Sequence, residues 1–425
     1  MKQFSRLVLL LAVCVPAWSG TGCTVVATIV GKEKRDVYKF DHPFTVEDPS
    51  FQRSLDNLGT AMVAGNHAEL YKNGDQIFPA MTKDIREAKH SVNLESYIFL
   101  PDRAGRMFAD ALTEAAKRGV QVRLLVDAWG SKLKALDAEL KAAGVKVHKY
   151  RPIRLFSIYK VGKRTHRKIL VVDGRIAWTG GLGIDERWLG NARNKNEWRD
   201  TQVRAVGPVA AQMQAIFSED WTYTTGEILA GEPFYPRIEK AGETHAQAIK
   251  ASRGDSSSLA KMLYYVAIKS ATRSILIQNA YFLPDKQVRE ALVDAVKRGV
   301  RVEVIVPGRH IDLPMVRFAS WHHYGEMLQG GVKIYEYLPT MLHNKTMVVD
   351  GLYATIGSIN FDARSMSSNA EESLAFYDRG FARRMEAMFA DDKSRCGEIS
   401  YDMWKHRGLP QRLAELVFWI FEPYY

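Results

Sequence analysis

Apolar positions along this chain follow two periods that alternate, and the alternation occurs twice. The run Ser91-Val92-Asn93-Leu94-Glu95-Ser96-Tyr97 predicts a strand, and Pro101-Asp102 opens a helix whose inward positions include Met107, Leu112 and Ala115. After Lys117-Arg118-Gly119, the run Val120 to Val126 predicts the next strand. The succession returns as Ser274 to Tyr281, Pro284-Asp285, a helix through Leu292 and Val296, Lys297-Arg298-Gly299-Val300, and the strand Val302 to Val306. Such self-similarity is the mark of an internal duplication. Aliphatic strands joined by helical crossovers predict an α/β fold in which helices cover both faces of a mixed sheet.

The expected organisation is an N-terminal segment over 1–30, a lead-in over 31–65, a first repeat over 66–227, a linker over 228–244, a second repeat over 245–390 and a helical extension over 391–425. The stretch Thr45 to Asp75 has helical character, and Gln411 to Phe421 predicts an apolar helix that packs on the body or touches a membrane. Thr222 to Gly226 and Gly231 to Pro236 predict turns and extended backbone, either a plain linker or a loop near a site.

Within each repeat lies one conspicuous motif. His166-Arg167-Lys168 precedes Ile169 to Val172, Asp173 and then Gly180-Gly181; His343-Asn344-Lys345 precedes Thr346 to Val349, Asp350 and then Gly357-Ser358 and Asn360. On a strand, residues two apart share a face, so each imidazole has an ammonium beside it while the aliphatic run anchors the strand in the core. A single His-x-Lys reads as a surface pair; two copies at matched positions of a duplication read as one composite site. Phosphodiester cleavage needs a neutral imidazole to attack phosphorus, an imidazolium to protonate the departing alkoxide, and cations for the charge that develops. His166, Lys168, His343 and Lys345 supply that set. Gly180, Gly181 and Ser358 would let backbone or hydroxyl donors approach a phosphate, and Asn360 would hold one of its oxygens. The adjacent lysines oppose a metal cation, so neither metal nor cofactor is expected.

The 425 residues include 59 Lys and Arg against 48 Asp and Glu, a formal net charge of +11, which favours anionic partners without choosing between lipid and nucleic acid. Three cysteines make no disulfide framework. Lys2 and Arg6 before the apolar run Leu7 to Trp18 suggest an export signal, with Cys23 as a candidate lipidation site. Gly20 stands where a lipoprotein signal usually carries a larger aliphatic residue, and Val25 to Val30 could instead extend an uncleaved anchor. Either way the expected location is a bacterial cell envelope, exported and membrane-associated.

The duplicated His-x-Lys-x4-Asp motif resembles the phospholipase D superfamily, and Gly357 to Ser365 with Asn369-Ala370-Glu371 is similar to its bacterial cardiolipin synthase branch. The resemblance runs from about Asn73 to the C-terminus. It implies two homologous α/β/α sandwich repeats about a pseudo-twofold axis, and a phosphohistidine intermediate with His166 as nucleophile and His343 as general acid. It further implies that Asp200 and Glu371 hold the histidines, while Asp173 and Asp350 read as structural. Since one chain supplies both motifs, no obligate protein partner is expected, and anionic phospholipid rather than nucleic acid is the expected partner. The activity implied is the joining of two phosphatidylglycerol molecules at a membrane surface with release of glycerol, with lipid hydrolysis or nuclease action as alternatives. Gly183 departs from the pattern, standing where an asparagine is common. Phe99, Trp129, Tyr281, Phe282, Trp321 and Tyr324 are candidate walls for a lipid site.

Overall fold

The computed structural model describes residues 38–40, 44–152, 164–251, 259–367 and 369–422. Cys23 and the expected signal or anchor lie outside the described residues.

The first repeat contains β1 (Val63–Lys72), α2 (Asn73–Glu87), β2 (Ser91–Ser96), α3 (Arg103–Lys117), β3 (Gln121–Asp127), α4 (Ala135–Ala142) and β4 (Lys146–Tyr150). It continues through β5 (Lys168–Val172), β6 (Ile176–Gly180), β7 (Thr201–Val206) and α5 (Val209–Thr225). Helix α1 (Pro49–Leu58) precedes it. The second repeat restates the order as β8 (Thr244–Ala251), α6 (Leu259–Ser270), β9 (Ser274–Asn279), α7 (Lys286–Lys297), β10 (Arg301–Pro307), α8 (Pro314–Gln329) and β11 (Lys333–Tyr337). Then follow β12 (Lys345–Val349), β13 (Tyr353–Gly357), α9 (Ala363–Ser367), β14 (Glu371–Tyr377) and α10 (Arg379–Lys393). The chain closes with β15 (Cys396–Ile399), α11 (Tyr401–Lys405) and α12 (Leu409–Trp419).

The fifteen strands among the described residues form one sheet. From its centre the order runs β1-β7-β6-β5-β2-β3-β4 one way and β8-β14-β13-β12-β9-β10-β11 the other, with β15 added at the second edge. Because β1 and β8 pair antiparallel, the halves are related by a pseudo-twofold axis between them. Helices α2, α3 and α4 cover one face of the first half, and α6, α7 and α8 the corresponding face of the second. The opposite face is covered by α5 and α10, whose apolar residues share a single core with strands from both halves. This joint core, with Val209, Phe217 and Trp221 from α5 and Phe381, Met385 and Phe389 from α10, binds the repeats together.

Local chemistry sets the elements as read from sequence. Asp102 and Asp285 cap α3 and α7 by accepting from the N–H groups of Gly105 and Val288 at 3.0 Å each. Asp173 and Asp350 adopt left-handed backbone, φ 51° and 54°, each followed by glycine at positive φ, which gives the tight primed turn that joins β5 to β6 and β12 to β13. Their carboxylates lie away from the histidines. Asp173 accepts from the N–H groups of Lys89, His90 and Ser91, and Asp350 from those of Thr272, Arg273 and Ser274.

Three expectations need correction. The helical character expected through Asp75 fails at Val63–Lys72, which is the central strand β1. The turn expected at Thr222 is helix, since α5 continues to Thr225 and ends at left-handed Gly226, φ 78°. The C-terminal extension is not all helical, because β15 lengthens the sheet beside β11. The linker is also no site loop: Phe234 lies under the Arg123 guanidinium, and the Pro233 carbonyl accepts from Ser91 at the start of β2, the sheet end opposite Lys168.

Candidate active site

The two motifs meet at the strand ends, β5 and β12 both lying in the interior of the sheet. Lys168 pairs with Ser96 at the end of β2, and Lys345 with Asn279 at the end of β9. Across the pseudo-axis, the segment before each histidine bridges to the segment before the other half's carboxylate, Thr165 with Ala370 and Leu342 with Arg199. The His166 N–H donates to the Ala370 carbonyl at 2.8 Å, and the His343 N–H to the Arg199 carbonyl at 2.8 Å. These bridges bring two motifs 177 residues apart in sequence into one constellation.

The result is an exchange of carboxylates. His166 Nδ1 lies 2.8 Å from Glu371 of the second half, and His343 Nδ1 lies 2.9 Å from Asp200 of the first. With Nδ1 held by a carboxylate, the nitrogen of each ring left to face a substrate is Nε2, and that of His343 lies 3.0 Å from Lys345 Nζ. Lys168 and Lys345 fold back on their own motifs, their Nζ atoms donating to the carbonyls of His166 at 2.6 Å and His343 at 2.7 Å. The middle residues point to the other face, as strand alternation requires. Arg167 donates to Asp220 at 2.6 Å and the Asn344 amide to Gln278 at 3.0 Å.

Supporting donors differ between the halves. Glu371 accepts from Ser358 at 2.6 Å and Ser365 at 2.8 Å; Asp200 accepts from Trp188 Nε1 at 2.8 Å and the Thr201 N–H at 2.8 Å. Gly181 holds the position equivalent to Ser358, and a Cβ there would lie 2.3 Å from Asp200 Oδ1 and 2.5 Å from the His343 carbonyl. Trp188 supplies the donor that this glycine lacks. A Cβ on Gly183, the position equivalent to Asn360, would meet the Trp188 ring at 2.9 Å, so the indole fills the space that asparagine takes in the other half. Gly180, φ 159°, lies against the Thr201 carbonyl. Asn360 is buried, with Oδ1 unpartnered among the described residues.

Burial dominates the electrostatics. It drives the His166 imidazole down to about 4 against the upward pull of Glu371, and His343 down to about 3 with Lys345 adding to the descent. Burial likewise lowers Lys345 to about 7, despite Asp200, and lowers Lys168. Glu371 is raised by burial but pulled lower overall by His166 and Lys168. Its neighbour Glu372, raised by burial to about 7, accepts from Thr179 at 2.7 Å and the Lys168 N–H at 3.1 Å. Near neutrality both imidazoles are therefore neutral, while Lys345 is close to the midpoint of its titration. Among the described residues no group of three or more His, Cys, Asp or Glu could hold a metal ion.

Aromatic rings fix the imidazoles from the side. Tyr97 meets His166 edge-on at 5.0 Å, while Trp188 and Trp198 meet His343 at 5.1 and 5.5 Å. Sequence reasoning missed Tyr97, Trp188 and Glu372 as site residues. Of the expected walls, Phe99, Phe282, Trp321 and Tyr324 are buried in the core; Tyr281 donates to Asp312 at 2.8 Å and Trp129 is exposed. The Ser358 hydroxyl, expected to face a phosphate, donates to Glu371 at 2.6 Å.

A sheet duplicated around two carboxylate-held histidines and two lysines defines the class as a phospholipase D-superfamily phosphodiester enzyme. The model of the family described as "Cardiolipin synthase, PLD-like domain" matches residues 81–221 and again 264–393, and the chain belongs to that family. It is 36% identical over 356 residues to a cardiolipin synthase of Geobacillus kaustophilus, covering 83% of this chain and 71% of the relative. Cardiolipin synthase A of Erwinia tasmaniensis is 32% identical over 403 residues, covering 91% of this chain and 82% of the relative. Among solved structures, a phosphatidylserine synthase of Haemophilus influenzae Rd KW20 shares the fold with a TM-score of 0.67 at 15% identity, covering 88% of this chain and 97% of that one.

Proposed function

We propose that this chain is a cardiolipin-synthase-type phosphatidyltransferase, joining two phosphatidylglycerol molecules with release of glycerol. The observation that carries the reading is the exchange of carboxylates: Glu371 and Asp200 each engage Nδ1 of the opposite half's histidine, leaving two Nε2 atoms for one phosphodiester. In this reading His166 attacks phosphorus as the neutral imidazole, and its side chain, at 14% exposure against 7% for His343, is the more open of the two. His343 gives a proton to the departing glycerol oxygen, and Glu371 stabilises the charge on phosphorylated His166. The proton arrives because of the substrate. An anionic phosphodiester that draws the Lys345 ammonium from its place 3.0 Å from the His343 ring removes the largest charge opposing protonation of that ring, which then takes a proton from water. His343, now neutral, then takes the proton of the second lipid's hydroxyl as that oxygen attacks phosphorus and releases His166. Lys168 and Lys345 hold the phosphoryl oxygens throughout. Phosphatidylglycerol is anionic and lies in a bilayer, so the chain works at a bacterial membrane surface; among the described residues no helix is long and apolar enough to cross it.

The test is product analysis with phosphatidylglycerol vesicles. Diphosphatidylglycerol and glycerol in equal amounts are expected, and phosphatidic acid as the sole lipid product at every substrate concentration would overturn the assignment. The pH dependence carries a further prediction. The profile of kcat/KM, which reports the free enzyme, should rise through about 4 as His166 becomes neutral and fall through about 7 as Lys345 loses its charge. Bound phosphate raises Lys345, so the falling limb of kcat should lie at higher pH. A kcat/KM still climbing above neutrality would remove Lys345 from the role given to it.

A further inference from the structure

Helix α12 carries its apolar stripe outward. Leu409, Leu413, Leu416, Val417 and Ile420 recur at spacings of three and four, so they share one face, and they are between 45% and 68% exposed. The opposite face is fastened to the body. Phe418 stacks on Phe318 of α8 at 5.8 Å, Trp419 stacks on His322 at 4.9 Å, and buried Glu415 accepts from the Arg407 guanidinium at 2.7 Å. A helix seated for packing alone would turn the leucines inward; here the specific contacts hold them in solvent. Exposed Leu313 and Met315, at the start of α8, add to the apolar surface on the helix that α12 packs against. Leu313 follows Asp312, whose carboxylate accepts from Tyr281, two residues beyond the Asn279 that pairs with Lys345, so the start of α8 lies near the site.

We infer that α12, with Leu313 and Met315, is a bilayer-docking face that sets the mouth of the active site against anionic lipid. Its charge fits that occupant. Along α12 itself the one exposed charge is Arg412, and the one carboxylate, Glu415, is buried; Asp402 precedes the helix, and Glu422 beyond it is paired with His323. An amphipathic helix of this kind lies in the interface, its apolar face among the acyl chains and its cations among the headgroups. The inference rests on reading the substrate as a membrane lipid.

One experiment tests docking without relying on catalysis. In the full-length chain, Leu416→Trp and a control, Tyr223→Trp on α5 of the opposite sheet face, are mixed with phosphatidylglycerol–phosphatidylethanolamine vesicles bearing brominated acyl chains. Added fluorescence quenching is expected for Leu416→Trp and not for the control; equal quenching in both overturns the inference. A second variant, Leu413→Asp/Val417→Asp, replaces exposed residues and should unfold at the wild-type temperature. Its glycerol release from vesicles should fall about ten-fold, with release from monomeric short-chain phosphatidylglycerol kept within about two-fold. Equal losses on both substrates overturn docking, as does a lipid-free dimer that this variant dissociates. Glycerol release counts transfer and hydrolysis alike, so failure of the synthase reading leaves the result interpretable.

Discussion

His166→Ala and His343→Ala are each expected to lower turnover by roughly 10⁴-fold or more, and the double variant should lose little beyond the worse single one. Non-additivity follows because the two imidazoles serve one phosphorus in sequence: without the nucleophile there is no intermediate, and without the acid–base partner none forms or is released at a useful rate. Folding should survive. Each ring projects from the end of a strand whose hold on the core is Ile169 to Val172 or Met347 to Val349, and all of these are buried. Steady-state turnover with phosphatidylglycerol, beside thermal unfolding of the same samples, checks both parts. Independent, multiplying losses would mean that the histidines serve separate sites.

Arg199→Ala should cost about 3 kcal/mol of stability, since it leaves the buried Asp392 carboxylate with only the Gln278 amide at 2.8 Å and the more distant Lys72 ammonium at 3.9 Å. Arg199 and Asp392 are fully buried; Arg199 Nη2 donates to Asp392 at 2.7 Å and Nε at 2.8 Å, while Nη1 donates to Thr201 at 2.8 Å. The pair ties the loop before β7 to α10, and so the first half to the second. Asp392→Ala should be as severe, because a guanidinium is then left unpaired. Arg199→Met with Asp392→Leu should recover much of the loss, since burying an unpaired charge costs more than removing the pair. Denaturant midpoints across this cycle measure it. A single variant within about 1 kcal/mol of wild type would show that water reaches the remaining charge.

The duplication was legible because its strands are buried on both faces and its helices open at aspartates, and both leave strong local patterns. Strand β1 was not. Its sequence Val-Ala-Gly-Asn-His-Ala-Glu-Leu-Tyr-Lys gains strand structure by pairing with β7 and β8, and Gly65 and Asn66 break the apolar alternation at the register shift between the halves. The histidines and lysines could be named from spacing, and the resemblance marked Asp200 and Glu371. That each carboxylate serves the other half's imidazole is a property of the pseudo-axis, which no local spacing encodes. Trp188 escaped for a related reason: it ends a single 3-10 turn, Glu186–Trp188, too short to leave a pattern, and its value depends on the missing side chains at Gly181 and Gly183. Those two glycines were the available signal. Aromatic residues beside strand ends misled, because Phe99 and Phe282 read the same whether they face a lipid or the core.

The central claim, one phosphorus passed through His166 under the control of His343, can be tested with a phosphatidyl ester of p-nitrophenol, whose leaving group needs no acid. Mixed rapidly with this ester, His343→Ala should release one nitrophenolate per chain in a burst and then stall, with mass spectrometry placing the phosphatidyl group on His166. His166→Ala should give no burst. A burst that survives in His166→Ala, or an adduct on His343 in the wild-type chain, would contradict the account.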